Sequence, residues 1–187
     1  MARMTELQRD DLTDAQKRVW DDMVAGPRGT APPPHQVWLT NPEFCDPAQR
    51  LGAYCRYGSN LPTALSELAI LVVAHTFRAN YEWWAHSRIA REGGLPDPII
   101  EAVRIGATPD FSDAPENAEM VWRVARTLMT DKRLSDALFA EADSQLGRPA
   151  LTDVVGICGY YCLVSLTLNA FEIPTPDGSQ AFADLPG

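Results

Sequence analysis

The sequence has no CxxC pair, no glycine-rich phosphate loop and no serine elbow. Its four cysteines are Cys45, Cys55, Cys158 and Cys162. The last two stand four apart in an apolar run, which on a helix is a core spacing. All four read as reduced, mostly buried thiols of a cytoplasmic protein. Neither GxGxxG nor GxxxxGK(S/T) occurs, which removes the common dinucleotide and phosphate cradles. GxSxG is missing as well, and with it the hydrolase elbow. Positive charge is short: 16 Lys and Arg stand against 25 Asp and Glu, a net charge of −9. An acidic surface argues against nucleic acid or an anionic membrane as the partner. No apolar run reaches the ~20 residues that span a bilayer. The longest, residues 154–168, is interrupted by glycines and tyrosines. The opening stretch MARMTELQRDDLTDAQ holds no apolar core of a secretory signal. No stretch alternates as a strand does, and there is no repeat, low-complexity tract or long linker.

What remains is helical. The length of 187 residues and 45% hydrophobic content suit one domain over 1–187, with an irregular surface tail from about 174. A first helix is expected over 5–25, where Thr13 and Gln16 form a capping box ahead of Val19, Trp20, Met23 and Val24. Residues 26–36, GPRGTAPPPHQ, read as a stiff loop able to cover something, with His35 on its surface. A helix over 47–57 turns Leu51, Tyr54 and Cys55 inward. Thr63 or Ser66 can cap the next, SELAILVVAHTF, which is apolar nearly all round and therefore central. A break near Asn80 separates it from YEWWAHSRIAREGG, stopped by Gly93 and Gly94. Further helices follow at LPDPIIEAVRIG, at 116–130, after a Ser135 cap, and over 151–171. The total is about eight helices in an all-α domain.

The chemistry concentrates in residues 74–93. This stretch holds two of the three histidines, His75 and His86. Glu82 and His86 lie one helical turn apart, so a carboxylate can set the imidazole's tautomer and raise its basicity. On one unbroken helix His75 would share their face, because steps of seven and eleven residues return to within ~20°. A break near Asn80 would leave only Glu82 with His86. A bare ExxxH pair is also an ordinary helix-stabilising pair, and His75 an ordinary core histidine. His75, Glu82 and His86 could ligate a metal, but their spacing lacks that of the helical zinc motifs, so no metal or organic cofactor is expected. Cys158 or Cys162 could act as a nucleophile beside His86. The favoured option is acid–base chemistry. His86 moves a proton, Glu82 holds its ring, and His75 serves as a second donor. Tyr81, Tyr160 or Tyr161 offers a hydroxyl to an oxyanion, Arg56 or Arg78 takes a substrate carboxylate, and Trp83 and Trp84 give aromatic walls.

The stretch LPTALSELAILVVAHTFRANYEWWAHSRIAREGGLPDPIIEAV resembles the carboxymuconolactone decarboxylase family, which includes the alkylhydroperoxidase-like proteins. The SELAIL run, the YEWWAH core and the glycine turn after it carry the resemblance. RLGAYCRYGSNLP, GYYCLVSLTLNAFEIPTP, and GPRG followed by VWLTNPEF extend it over residues 10–178. The resemblance implies an all-helical, alkylhydroperoxidase-like fold and a homo-oligomer, a trimer or hexamer. It implies one of two chemistries. The first is cofactor-free lyase action, a decarboxylation of a small carboxylated lactone or a related compound from aromatic catabolism. The second is a thiol peroxidase with a CxxC pair. Trp83 and Ala85 stand where such a pair would sit, which disfavours the second. Glu82 and His86 match the acid and imidazole of the family's motif. A non-catalytic oligomeric binding protein is the remaining alternative.

Overall fold

The computed structural model describes residues 3–186. Met1, Ala2 and Gly187, the ends of the expected 1–187 domain, lie outside the described residues. Among those described there are nine α-helices and a short 3-10 turn, and no strand. The helices are α1 (Asp14–Ala25), α2 (Pro33–Leu39), α3 (Pro42–Tyr57), α4 (Thr63–Phe77), α5 (Asn80–Glu92), α6 (Asp97–Arg104), α7 (Ala118–Asp131), α8 (Asp136–Leu146) and α9 (Arg148–Ala170).

Helix α4 is the centre. Every residue from Ala64 to Ala74 is buried, and α5, α6, α7 and α9 pack around it. Each fully buried Leu, Ile or Val there contributes about 1.5–3 kcal/mol of transfer free energy. Neither Thr63 nor Ser66 caps it. Pro62 occupies the N-cap, and the Ser66 hydroxyl instead donates back to the Thr63 carbonyl at 3.0 Å. The helix stops where Arg78 turns left-handed at φ 48°. The Ala79 amide then reaches back to the Ala74 carbonyl, the six-to-one closure of a Schellman turn. The break expected near Asn80 is therefore real and centred on Arg78 and Ala79.

The other helix ends follow local chemistry. Thr13 and Gln16 form the expected box at α1, which begins at Asp14 rather than at residue 5. Ser135 accepts from the Leu138 amide and caps α8. Residues 26–36 are not all loop: Pro33 and Pro34 start α2, since proline fits a first helical turn that has no use for its N–H. Helix α3 starts at Pro42, earlier than expected, because Asn41 accepts from the Phe44 amide. Leu51 and Tyr54 do not face inward. They are 49% and 46% exposed, and the inner stripe of α3 is Cys45, Gln49, Gly52 and Cys55. Small residues on that stripe let α9 approach: a Cβ on Gly52 would lie 2.0 Å from the Tyr160 hydroxyl.

Helix α9, at 23 residues, is long and apolar enough to cross a membrane by length and composition. It runs through the protein instead, against α2, α3, α4, α5, α7 and α8, and most of its apolar span is buried there. Asp153 ties its first half to α3, accepting from Tyr54 Oη at 2.8 Å and from the Asn60 amide at 2.7 Å. The tail is irregular, yet it is fastened. Phe182 is buried between His75 and Trp83, Trp84 Nε1 donates to Asp177, and Arg104 pairs with Asp184.

Candidate active site

The Schellman turn swings α5 alongside α4, and the first half of each helix supplies one carboxylate to a single imidazole. His86 Nδ1 lies 2.5 Å from Glu67 Oε2, and His86 Nε2 lies 3.0 Å from Glu82 Oε1. All three side chains are buried, at 3% (Glu67), 3% (Glu82) and 5% (His86) exposure. With a carboxylate at each ring nitrogen, both nitrogens act as donors, and the ring is an imidazolium. Burial works against that charge. The two carboxylates outweigh it and lift the His86 pKa to about 9. Tyr161 sets its ring edge-on to His86, with centroids 5.0 Å apart.

Glu82 and His86 open onto a cavity of about 340 Å³. Its wall takes Tyr160 and Tyr161 from α9, Arg56 and Tyr57 from α3, and Tyr81 and Arg88 from α5. Arg28 and His35 close it from the turn before α2 and from α2 itself. His35 is not on the surface as the sequence suggests: it is 3% exposed, and its Nε2 lies 3.2 Å from Tyr160 Oη. Burial, with the charges of Arg28 and Arg56, pushes the His35 pKa down to about 3, so the ring is neutral. Burial raises both the Tyr160 and the Tyr161 phenols, and the Glu82 charge adds to it, so both stay protonated.

The residues that the sequence groups into one site divide between two places in the fold. Glu82, His86, Arg56, Tyr81, Tyr160 and Tyr161 share the cavity. His75 does not. The turn at Arg78 rotates α5 away from its face, and His75 lines a different cavity with Arg78, Trp122 and Arg126. There its Nδ1 donates to the Arg104 carbonyl at 2.9 Å. Arg78 donates to the Pro186 carbonyl, and Trp83 is core, packed on Phe182. Cys158 and Cys162 do not line the His86 cavity. Cys162 meets Met129 Sδ, and burial pushes the Cys158 thiol up to about 12. Among the described residues no three His, Cys, Asp or Glu side chains are set to hold a metal ion.

The sequence pattern did not single out Glu67, nor the cavity residues Arg28, Tyr57 and Arg88. The signal for Glu67 was there: it is the only acidic residue in α4, a helix that is otherwise apolar nearly all round. A carboxylate buried in such a helix needs a charged partner.

Comparison with known proteins bears on the fold and on one stretch of the chain. Residues 42–124, which contain Glu67, Glu82 and His86, match the model of the carboxymuconolactone decarboxylase family. No curated protein sequence matches the chain. Among solved structures, an uncharacterized peroxidase-related protein from Silicibacter sp. TM1040 superposes with a TM-score of 0.72 at 16% identity, covering 96% of this chain and 95% of its own. That likeness is one of fold, an all-helical one. Through residues 42–124, the stretch that carries Glu67, Glu82 and His86, the chain is similar to the carboxymuconolactone decarboxylase family.

Proposed function

We propose that the protein is a cofactor-free acid–base enzyme that moves a proton next to the carbonyl of a small carboxylated compound. A carboxylated lactone or a related acid from aromatic catabolism is the substrate class, and decarboxylation is the reaction type. One observation carries the reading: the buried chain Glu67–His86–Glu82, which opens onto a cavity at its Glu82 and His86 end. Both imidazole nitrogens are engaged, so His86 does not act as the free base that the sequence suggests. Glu82 is the group that exchanges a proton with substrate. His86 passes the charge, and Glu67 holds the far nitrogen. In a decarboxylation the C–C bond to the carboxylate breaks, CO₂ leaves, and its electron pair enters the carbonyl as an enolate. The enolate carbon then takes a proton from the Glu82–His86 pair, and solvent restores it. The Tyr161 phenol, held protonated, is the donor to the enolate oxygen. A thiol mechanism is not favoured, since no cysteine lines the cavity.

We further propose a cytoplasmic homo-oligomer, a trimer or hexamer. Exposed Phe44, Leu51 and Tyr54 on α3 and Val155 and Leu166 on α9 support it.

The test is turnover on a panel of carboxylated lactones and 3-oxo acids, followed by CO₂ release. Glu82→Gln and His86→Ala should each lower kcat by ~10²–10⁴-fold with the fold intact by circular dichroism. Full turnover in Glu82→Gln would remove the proposed role of this chain of groups.

A further inference from the structure

Four buried side-chain polar atoms in the described chain have no hydrogen-bond partner: Arg28 Nε, Arg28 Nη2, His35 Nδ1 and Ser165 Oγ. Arg28 and His35, which own three of them, both line the cavity that holds Glu82 and His86; Ser165 does not line it. Unmet hydrogen-bonding capacity is costly in a folded protein, and here it is gathered at one place. The two Arg28 atoms are moreover a matched pair. Nε–H and Nη2–H form one edge of the guanidinium, with two parallel donors spaced for the two oxygens of a carboxylate. No acidic side chain of the described residues takes that edge, although the chain is acidic overall.

The surroundings suit an anion rather than a second cation. Arg56 and Arg88 line the same cavity, and its one carboxylate, Glu82, is already engaged by His86. His35 and Tyr160 lie within the field of Arg28, and both are neutral. Arg28 itself sits in the turn Gly26–Gly29, closed by the Gly29 amide on the Gly26 carbonyl at 3.1 Å and followed by the rigid prolines that start α2. Its head is therefore presented by a short, stiff segment. This segment lies outside residues 42–124, the part that matches the family model.

We propose that Arg28 is the specificity-determining residue of this cavity, its free Nε–Nη2 edge taking the carboxylate of the substrate in a bidentate pair. The proposal rests on the acid–base reading for the identity of the substrate, but not for the binding itself. The proton chain comes from the family segment, and the anion partner comes from the turn that precedes it. A substrate that keeps its carboxylate through the reaction is held by Arg28 throughout. A substrate that loses that group as CO₂ loses its grip with it, which favours release of product.

Binding is measured with 5-oxotetrahydrofuran-2-carboxylate, its methyl ester, and acetate, by calorimetry and by the ¹⁵N-edited signal of the arginine Nε–H groups. The acid should bind at least about 10-fold more tightly than the ester, and one Nε–H signal, absent in Arg28→Ala, should move with both carboxylates. Arg28→Ala should weaken the acid about 10- to 100-fold and leave the ester unchanged. Arg28→Lys should recover only part of this, since an ammonium is a point charge without a fork. Thermal melts of both variants separate lost binding from lost fold. Equal affinity for acid and ester, an unmoved Arg28 signal, or unchanged binding in a folded Arg28→Ala protein would each overturn the proposal. Carboxylate-selective binding with no turnover on any acid would uphold it while sinking the acid–base reading.

Discussion

At the scale of single residues, the site is set by how two carboxylates hold one imidazole. The half of this arrangement that lies within one helix is readable in the sequence, because Glu82 and His86 are four residues apart. The other half is not: Glu67 sits 19 residues from His86, and only packing brings it to 2.5 Å. His75 shows the opposite error. A helix continuing through Arg78 would place it on the face of Glu82, and one residue at positive φ changes the direction of everything after it. The charge state has a thermodynamic consequence. The folded pKa of His86, about 9, lies above its ordinary 6.5. The stability contributed by this pairing is therefore fully present below pH 6.5 and is lost as pH rises through about 9. Tyr161, which faces the ring, stays neutral across that window. The midpoint of thermal unfolding, measured from pH 6 to pH 10, should fall more steeply in the wild type than in His86→Gln. Parallel curves would show that the ring carries no such charge.

At the scale of elements, close approach between α3 and α9 decides whether the cavity exists in its present shape. Gly52 faces Tyr160 where no side chain fits. A Cβ there would meet not only the hydroxyl but also the ring atom that bears it, at 2.3 Å. Gly52→Ala must push a buried ring aside, which should cost about 1–3 kcal/mol in urea unfolding. It should also break the Tyr160–His35 contact. Gly52→Ala with wild-type stability would show that the helices shift apart freely. Hydrophobic pattern marks both helices but misjudges the inner face of α3. Leu51 and Tyr54 are among its large residues, and a reader of hydrophobic pattern turns large residues inward. Here the neighbour is a broad tyrosine, so the inner positions are small. The tight start of α2 is hidden for a related reason: three prolines read as loop, although the first turn of a helix accepts them.

At the scale of the whole molecule, the features left outside the core bear on assembly. Phe44, Leu51 and Tyr54 follow one another at helical spacing along the outer face of α3, and Val155 and Leu166 do so on α9. If these faces meet copies of themselves, light scattering at micromolar concentration should give a small multiple of 20.6 kDa. The double variant Leu51→Asp, Val155→Asp should then fall to the single-chain mass with its helicity retained. A wild-type protein that scatters as 20.6 kDa would end the oligomer proposal. The fastened tail acts over a long stretch of chain. Phe182 wedges behind the α4–α5 turn, and Arg78 in that turn binds the carbonyl of Pro186. During synthesis, α4 and α5 leave the ribosome with Glu67, Glu82 and His86 long before either tail residue is made. The imidazole can find its carboxylates early. The joint that aims them can be locked only after residue 186 has cleared the exit tunnel, so until then the nascent site is unlatched.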